Sequence, residues 1–166
     1  MSRKLLGLIK IKALMIKINV IANNSHWYKI IKNPINYVNR KVIKLNLKYK
    51  KYSKSTIFCT LLLAGNKEIK KLNKKFRKKN KITDVLSFPF QKKSELKKIL
   101  KVEKEIYLGD IIVNFNKIKD KKNFRAEFDK LWIHGLVHLF GYDHKKEKDF
   151  KKMNEIEKKF IKFIND

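Results

Sequence analysis

Three of the chain's four histidines fall within one short stretch, HGLVHLFGYDH, as His134, His138 and His144. The first two are four residues apart, so on a helix they project from one face, one turn from each other. Gly141 follows Phe140, at the kind of position where a helix ends in a left-handed residue that glycine adopts at little cost. A chain that reverses there carries His144 back toward the pair. Three neutral imidazoles converging in this way match a zinc site with its fourth tetrahedral position left for water or substrate. An open position marks catalytic rather than structural zinc. His26 has no partner in sequence and is read as an ordinary histidine. Asp129 and Asp143 are either carboxylates that orient a ligand imidazole through its second nitrogen or plain surface charges.

A helical His-x-x-x-His pair also occurs in zinc peptidases, where the residue after the first histidine is a glutamate that serves as general base. Here that residue is Gly135. Glycine cannot activate a water, so a zinc peptidase or amidase would have to import its base from outside this helix. The substrate expected is one for which the metal and another side chain suffice.

The elements that must position these groups can be read along the chain. Ile16 to Val20 alternates as a strand, with Trp27 and Tyr28 in the loop beyond. Asn33-Pro34 opens a helix whose apolar side is Ile35, Val38, Val42, Leu45 and Leu47. Ile57 to Leu63 is a second strand, with Cys59 as core packing. Asn66 is placed to cap a helix whose apolar side is Ile69, Leu72 and Phe76. Thr83 to Phe90 and Tyr107 to Phe115 read as two more strands, and residues 91–105 between them as an exposed loop or short helix. Phe124 to Phe140 is helical and apolar on most sides, which puts the histidine helix in the middle of the protein. Phe150, Met153, Ile156, Phe160 and Ile164 mark an amphipathic C-terminal helix. The reading is one α+β domain over residues 15–166. Residues 1–14 form an N-terminal extension: Lys10 and Lys12 interrupt its apolar run and no small-residue cleavage site follows, although a presequence has a similar composition.

The chain has 166 residues, 43 of them Lys or Arg against 15 Asp or Glu, for a formal charge of +28. A domain of this length buries roughly 70% of its unfolded surface, and 43% hydrophobic residues exclude a disordered basic tail. The single cysteine allows no internal disulfide, and no apolar run is long enough to span a bilayer, so a cytoplasmic protein without membrane association is expected. Residues 1–67 hold 15 basic residues and no acid, which suits a nucleic-acid partner. Yet only four of the basic residues are arginine, the side chain that binds phosphate in a fork, so lysine excess from AT-rich coding explains the charge equally well. Against that background Arg77, at the end of a helix leading into a strand, is a candidate phosphate clamp or else an ordinary surface cation. Asp110, in LGDI, is read either as a group that orients a metal ligand or handles a proton, or as a structural turn residue.

HGLVHLFGYDH resembles the signature of the YbeY family, H-G-x-L-H-L-x-G-Y-D-H. Two further blocks follow that family in the right order. LNKKFRKKNKITDVLSFPF (Leu72 to Phe90) is similar to its L-N-x-x-Y-R-x-x-D-x-x-T-D-V-L-S-F-P segment, and LGDI (Leu108 to Ile111) to the next block. The departures are Val137 for Leu, Phe76 for Tyr, Asn80 for Asp and Ile82 for Pro, and none falls on a histidine or on Arg77. The resemblance implies a single-strand-specific, metal-dependent endoribonuclease acting in ribosome quality control and in maturation of the 3′ end of small-subunit (16S) rRNA. It also implies a mixed four-stranded sheet with the metal-carrying helix packed centrally, one zinc on His134, His138 and His144, and a functional arginine at Arg77. The partners implied are single-stranded RNA, rRNA and the small ribosomal subunit, with no small-molecule cofactor. A ribosome-associated RNA-binding factor with a structural zinc is the alternative of a different class.

Overall fold

A computed structural model describes residues 15–51 and 55–166; the expected extension, residues 1–14, lies outside the described residues. Along the chain run β1 (Ile16–Ala22), α1 (His26–Ile30), α2 (Pro34–Lys48), β2 (Thr56–Ala64), α3 (Asn66–Arg77), β3 (Val85–Pro89), α4 (Lys93–Val102), β4 (Glu105–Asn114), α5 (Phe124–Leu139) and α6 (Glu147–Asn165). The strands form one mixed sheet in the order β1-β2-β4-β3, with β3 the antiparallel edge. The α+β architecture expected from the sequence is the one observed. No helix among the described residues is long and apolar enough to cross a membrane.

Side chains alternate across a strand, so β2 serves two faces at once. Ile57, Cys59, Leu61 and Leu63 are buried on the face covered by α2, α5 and α6, and they join the main core with Trp27, Phe128, Trp132 and Phe160, all 0% exposed. Fully burying one such apolar side chain contributes about 1.5–3 kcal/mol. On the opposite face Ile69 and Leu72 of α3 close a smaller core with Ala64, Leu86 and Ile112. Asn46 ties α2 to the first strand: its Oδ1 accepts from Ile16 N–H and its Nδ2 donates to the Ile16 carbonyl, both at 2.9 Å.

Some local expectations are corrected. Trp27 and Tyr28 lie in the short helix α1 rather than a loop, because burying the Trp27 ring and bonding its Nε1 to the Ala64 carbonyl at 3.1 Å draws that segment onto β2. On α2, Asn33 caps the helix through Asn36 N–H at 2.9 Å. The buried stripe there is narrower than the periodicity implies, with Ile35 and Leu47 left exposed. Gly65, not Asn66, occupies the cap of α3. Asn66 is drawn sideways, its N–H to Asn116 Oδ1 and its own Oδ1 to Asn114 Nδ2. Phe76 and Phe150 are exposed despite their helical spacing. Residues 93–102 form α4, docked through Leu96 and Leu100.

The histidine helix α5 is central, as its composition requires. It is pressed onto the sheet so closely that a Cβ on Gly135 would lie 2.5 Å from Ile111 Cγ2. Glycine stands between the two helical histidines for this steric reason, and a glutamate there has no room. Gly135→Ala should therefore lower stability by about 1–3 kcal/mol, the usual cost of overpacking a well-filled core. Thermal or urea unfolding of the purified variant measures it.

Candidate metal centre

The end of α5 is built to turn. Gly141 has φ +83°, its N–H donates to the His138 carbonyl at 2.9 Å, and Tyr142 N–H donates to the Val137 carbonyl at 3.3 Å. This pair of bonds is the Schellman pattern, which glycine makes at low cost because it has no Cβ to clash in the left-handed region. Two things follow. The reversal returns His144 to His134 and His138, and it aims the Tyr142 carbonyl back at His138, whose Nδ1 lies 3.0 Å from it. Asp143 helps hold the turn through an Oδ1 that accepts from His144 N–H at 2.8 Å. Burial works against its charge, but that bond and the nearby Lys145 and Lys93 keep its carboxyl below the usual range.

His134, His138 and His144 each offer one nitrogen, and those nitrogens all lie within 4.8 Å of one another. The ring centroids are 4.6, 5.8 and 5.1 Å apart for the three pairs. The hydrogen bonds on the far side of two rings decide what this group can do. His134 Nδ1 is 2.7 Å from Glu157 Oε1 on α6, and His138 Nδ1 faces the Tyr142 carbonyl. A carboxylate and a carbonyl only accept, so both Nδ1 atoms carry protons, and in the neutral rings both Nε2 atoms carry lone pairs. Those two Nε2 atoms are 3.1 Å apart. Two lone pairs aimed at one point, with a third imidazole beside them, form a cradle for a cation, and the donor set suits a first-row divalent metal. Burial first, and then the neighbouring His134, pushes the His138 pKa down, which keeps that ring neutral and able to ligate.

The carboxylates named from sequence are not the ones that orient these rings. Asp129 is 2% exposed and accepts from Tyr37 Oη at 2.9 Å and Trp132 Nε1 at 3.0 Å, with Lys41 Nζ at 3.1 Å; it knits α2 to α5. Glu157 does the orienting, through α6. Its signal in sequence was weak, since a glutamate in a lysine-rich amphipathic helix reads as a solvated charge. Its spacing of four from Met153 and three from Phe160, both buried, is what places it at the edge of the packed face. Glu157→Gln keeps the shape and removes the carboxylate, so metal affinity should fall by about 10–100-fold, as for other such outer partners. Competition against a chromophoric chelator measures that loss.

Beside the histidines opens a cleft of about 920 Å³ lined by His138, His144, Gly141 and Asp143 on one wall and by Ser87, Pro89, Phe90, Arg77 and Lys79 on the other. Arg77 reaches it from the end of α3 around the β3 edge. One N–H donates to the Ser87 carbonyl at 3.0 Å, and the guanidinium lies 5.6 Å from the Phe88 ring centre. That leaves most of its five donors for an anion in the cleft. Asp110 is elsewhere. Ile111 faces α5, so its neighbour Asp110 points to the opposite face of the sheet, where it accepts from Tyr107 Oη at 2.5 Å. From that position it cannot orient a ring of the histidine cluster.

A family model described as endoribonuclease YbeY matches residues 20–165. The chain is 45% identical over 155 residues to the endoribonuclease YbeY of Pelagibacter ubique, covering 90% of this chain and 97% of that protein. It is 37% identical over 64 residues to the protein of the same name from Mycoplasma mobile, covering 36% of this chain and 42% of the relative. A Thermotoga maritima protein solved in solution superposes with a TM-score of 0.53 at 26% identity, covering 90% of this chain and 89% of that one. The similarity thus runs from the first strand to the last helix and takes in the whole HGLVHLFGYDH segment, and on this ground the chain belongs to the YbeY family of endoribonucleases.

Proposed function

We propose that this chain is a zinc-dependent endoribonuclease of single-stranded RNA in which His134, His138 and His144 hold one zinc and Arg77 holds the scissile phosphate. Its substrate is rRNA of the small ribosomal subunit near the 3′ end, met in the cytoplasm, and residues 15–166 are its catalytic domain. The observation that carries the reading is the pair of Nε2 lone pairs facing each other at 3.1 Å, with both Nδ1 protons already given to Glu157 and Tyr142. When bound, zinc supplies a Lewis acid whose charge is undiminished, because all three ligands are neutral.

The chain's own groups do the rest. Cleaving a phosphodiester builds negative charge on the non-bridging oxygens, and a planar guanidinium held between the Ser87 carbonyl and the Phe88 ring is shaped to receive it. Lys79, Lys92, Lys93 and Lys145 line the same cleft and favour a polyanion over a neutral peptide. The packing of Gly135 on Ile111 supports the same choice, since it removes the position from which a peptidase would supply its base.

The test combines metal analysis with RNA cleavage. The purified chain should carry about one zinc, as a three-histidine site requires. It should cut single-stranded RNA faster than duplex, lose cleavage to a chelator and regain it with zinc. Salt-sensitive RNA binding with no chelator-sensitive cleavage would sink the proposal and leave an RNA-binding factor with a structural metal.

A further inference from the structure

We propose that the open face of the sheet carries a second part of the RNA site, a row of side chains running across the strands on which the bases of the flanking single strand stack. This rests on the ribonuclease reading and deepens it. The row is set by strand register. Lys17 of β1 pairs with Phe58 of β2, Phe58 pairs with Tyr107 of β4, and Phe90, just past β3, donates its N–H to the Leu108 carbonyl at 2.8 Å. The Phe90 and Tyr107 rings are 5.7 Å apart, and Lys17 Nζ lies 5.5 Å from the Phe58 ring centre. These side chains lie on the face opposite α5, beyond the part that α3 covers. Lys17 and Phe90 are exposed, Phe90 by 71%, and Phe58 and Tyr107 are half-buried.

A single exposed phenylalanine on a protein surface needs no explanation. An aromatic on each of two neighbouring strands, Phe58 and Tyr107 in register, flanked by a lysine on one side and by the Phe90 ring just past the third strand on the other, is a different matter. Neighbouring strands are about 4.8 Å apart, so the row is about 14 Å long. Sequence-tolerant binding of single strands elsewhere uses this combination of exposed rings for the bases and cations for the backbone. Continuity points to the same occupant. Phe90 lines the cleft together with Arg77, His138 and His144, so a strand whose phosphate sits at Arg77 passes Phe90 on leaving. Beside the row, Phe76 and Phe88 pack at 5.3 Å with Lys75 and Arg77 over their rings. Two carboxylates of β4 flank the row: Asp110 is tied down by the Tyr107 hydroxyl, and Glu105, paired with Thr56, stands exposed on its other side.

The experiment uses Phe90→Trp in the full, zinc-loaded chain. Trp27 and Trp132 are 0% exposed, so the new indole is the solvent-facing emitter. A 2′-O-methyl oligoadenylate of roughly twelve nucleotides, which resists cleavage, should quench it by stacking, whereas a duplex of equal length should not. Phe90→Ala and, at the far end of the row, Phe58→Leu should each weaken binding of that oligonucleotide about tenfold or more, tenfold lying toward the low end of the range for losing one base–aromatic stack. Phe90 is exposed, so its variants test the idea even if Phe58→Leu folds poorly. No quenching together with unchanged affinity overturns the row as an RNA surface and leaves that face to a protein partner. Failure of the ribonuclease reading would look different: the parent chain would not cut unmodified RNA, while quenching by the resistant strand would still support the row.

Discussion

His138→Ala should yield a chain that no longer retains the proposed zinc and cuts RNA far more slowly than its parent. His138 is the middle of the three rings, 4.6 Å from His134 and 5.1 Å from His144 between centroids, so its loss leaves two imidazoles that no longer share a ligand between them. The stabilisation lost from the reaction is several kcal/mol, on the order of a thousandfold in rate. A readout other than activity separates loss of metal from loss of fold. Alanine is a better helix former than histidine, and the Gly141 and Tyr142 backbone bonds that end α5 do not involve the ring. The metal-free variant should therefore unfold near the temperature of the metal-free parent. Adding zinc should raise the midpoint of the parent, since a ligand that binds only the folded state stabilises it, and should leave the variant unmoved. A variant that still holds one zinc per chain would refute the three-histidine assignment.

The spacing that makes this prediction possible was legible in the residues themselves. Histidines four apart on an apolar helix, with a glycine where the helix must stop, let His144 return to the pair, because local backbone rules govern the spacing and the stop. The mixed sheet followed from the family blocks, and the strands and helices between them from apolar periodicity. What could not be read was anything that depends on which elements lie side by side. Glu157 is an ordinary charge until α6 packs on α5. Asp129 looked available for an imidazole, but Tyr37, Lys41 and Trp132 claim it once α2 packs across the same helix. Gly135 was visible as a missing general base, and only the contact with Ile111 supplies the reason. Phe76 has the spacing of a core residue and yet lies 58% exposed, because α3 ends at the β3 edge, where its ring meets Phe88 rather than the interior. In the same way the register that sets Phe58 beside Tyr107, and the edge that brings the Phe90 ring to it, are long-range information, absent from any local window.

Arg77→Ala should lower cleavage by about a hundred- to a thousandfold, the range found when one preorganised donor to a developing oxyanion is removed, with the zinc content unchanged. The competing view is that Arg77 is one cation among 43, and it predicts almost nothing, because the lysines lining the cleft would still attract the strand. The two views therefore separate by magnitude. They separate again in the kinetic constants. A group that binds charge appearing only in the transition state changes kcat, whereas one that merely attracts the polyanion raises KM and leaves kcat alone. Arg77→Lys sharpens the comparison. It keeps the charge but replaces a planar fork by a point charge on a flexible stem, and an ammonium cannot hold the Ser87 carbonyl and a phosphate oxygen in one plane. If geometry is what Arg77 supplies, the lysine variant recovers binding of RNA but little of kcat; full recovery by lysine would show that the cleft needs only positive charge there, which this chain has in excess.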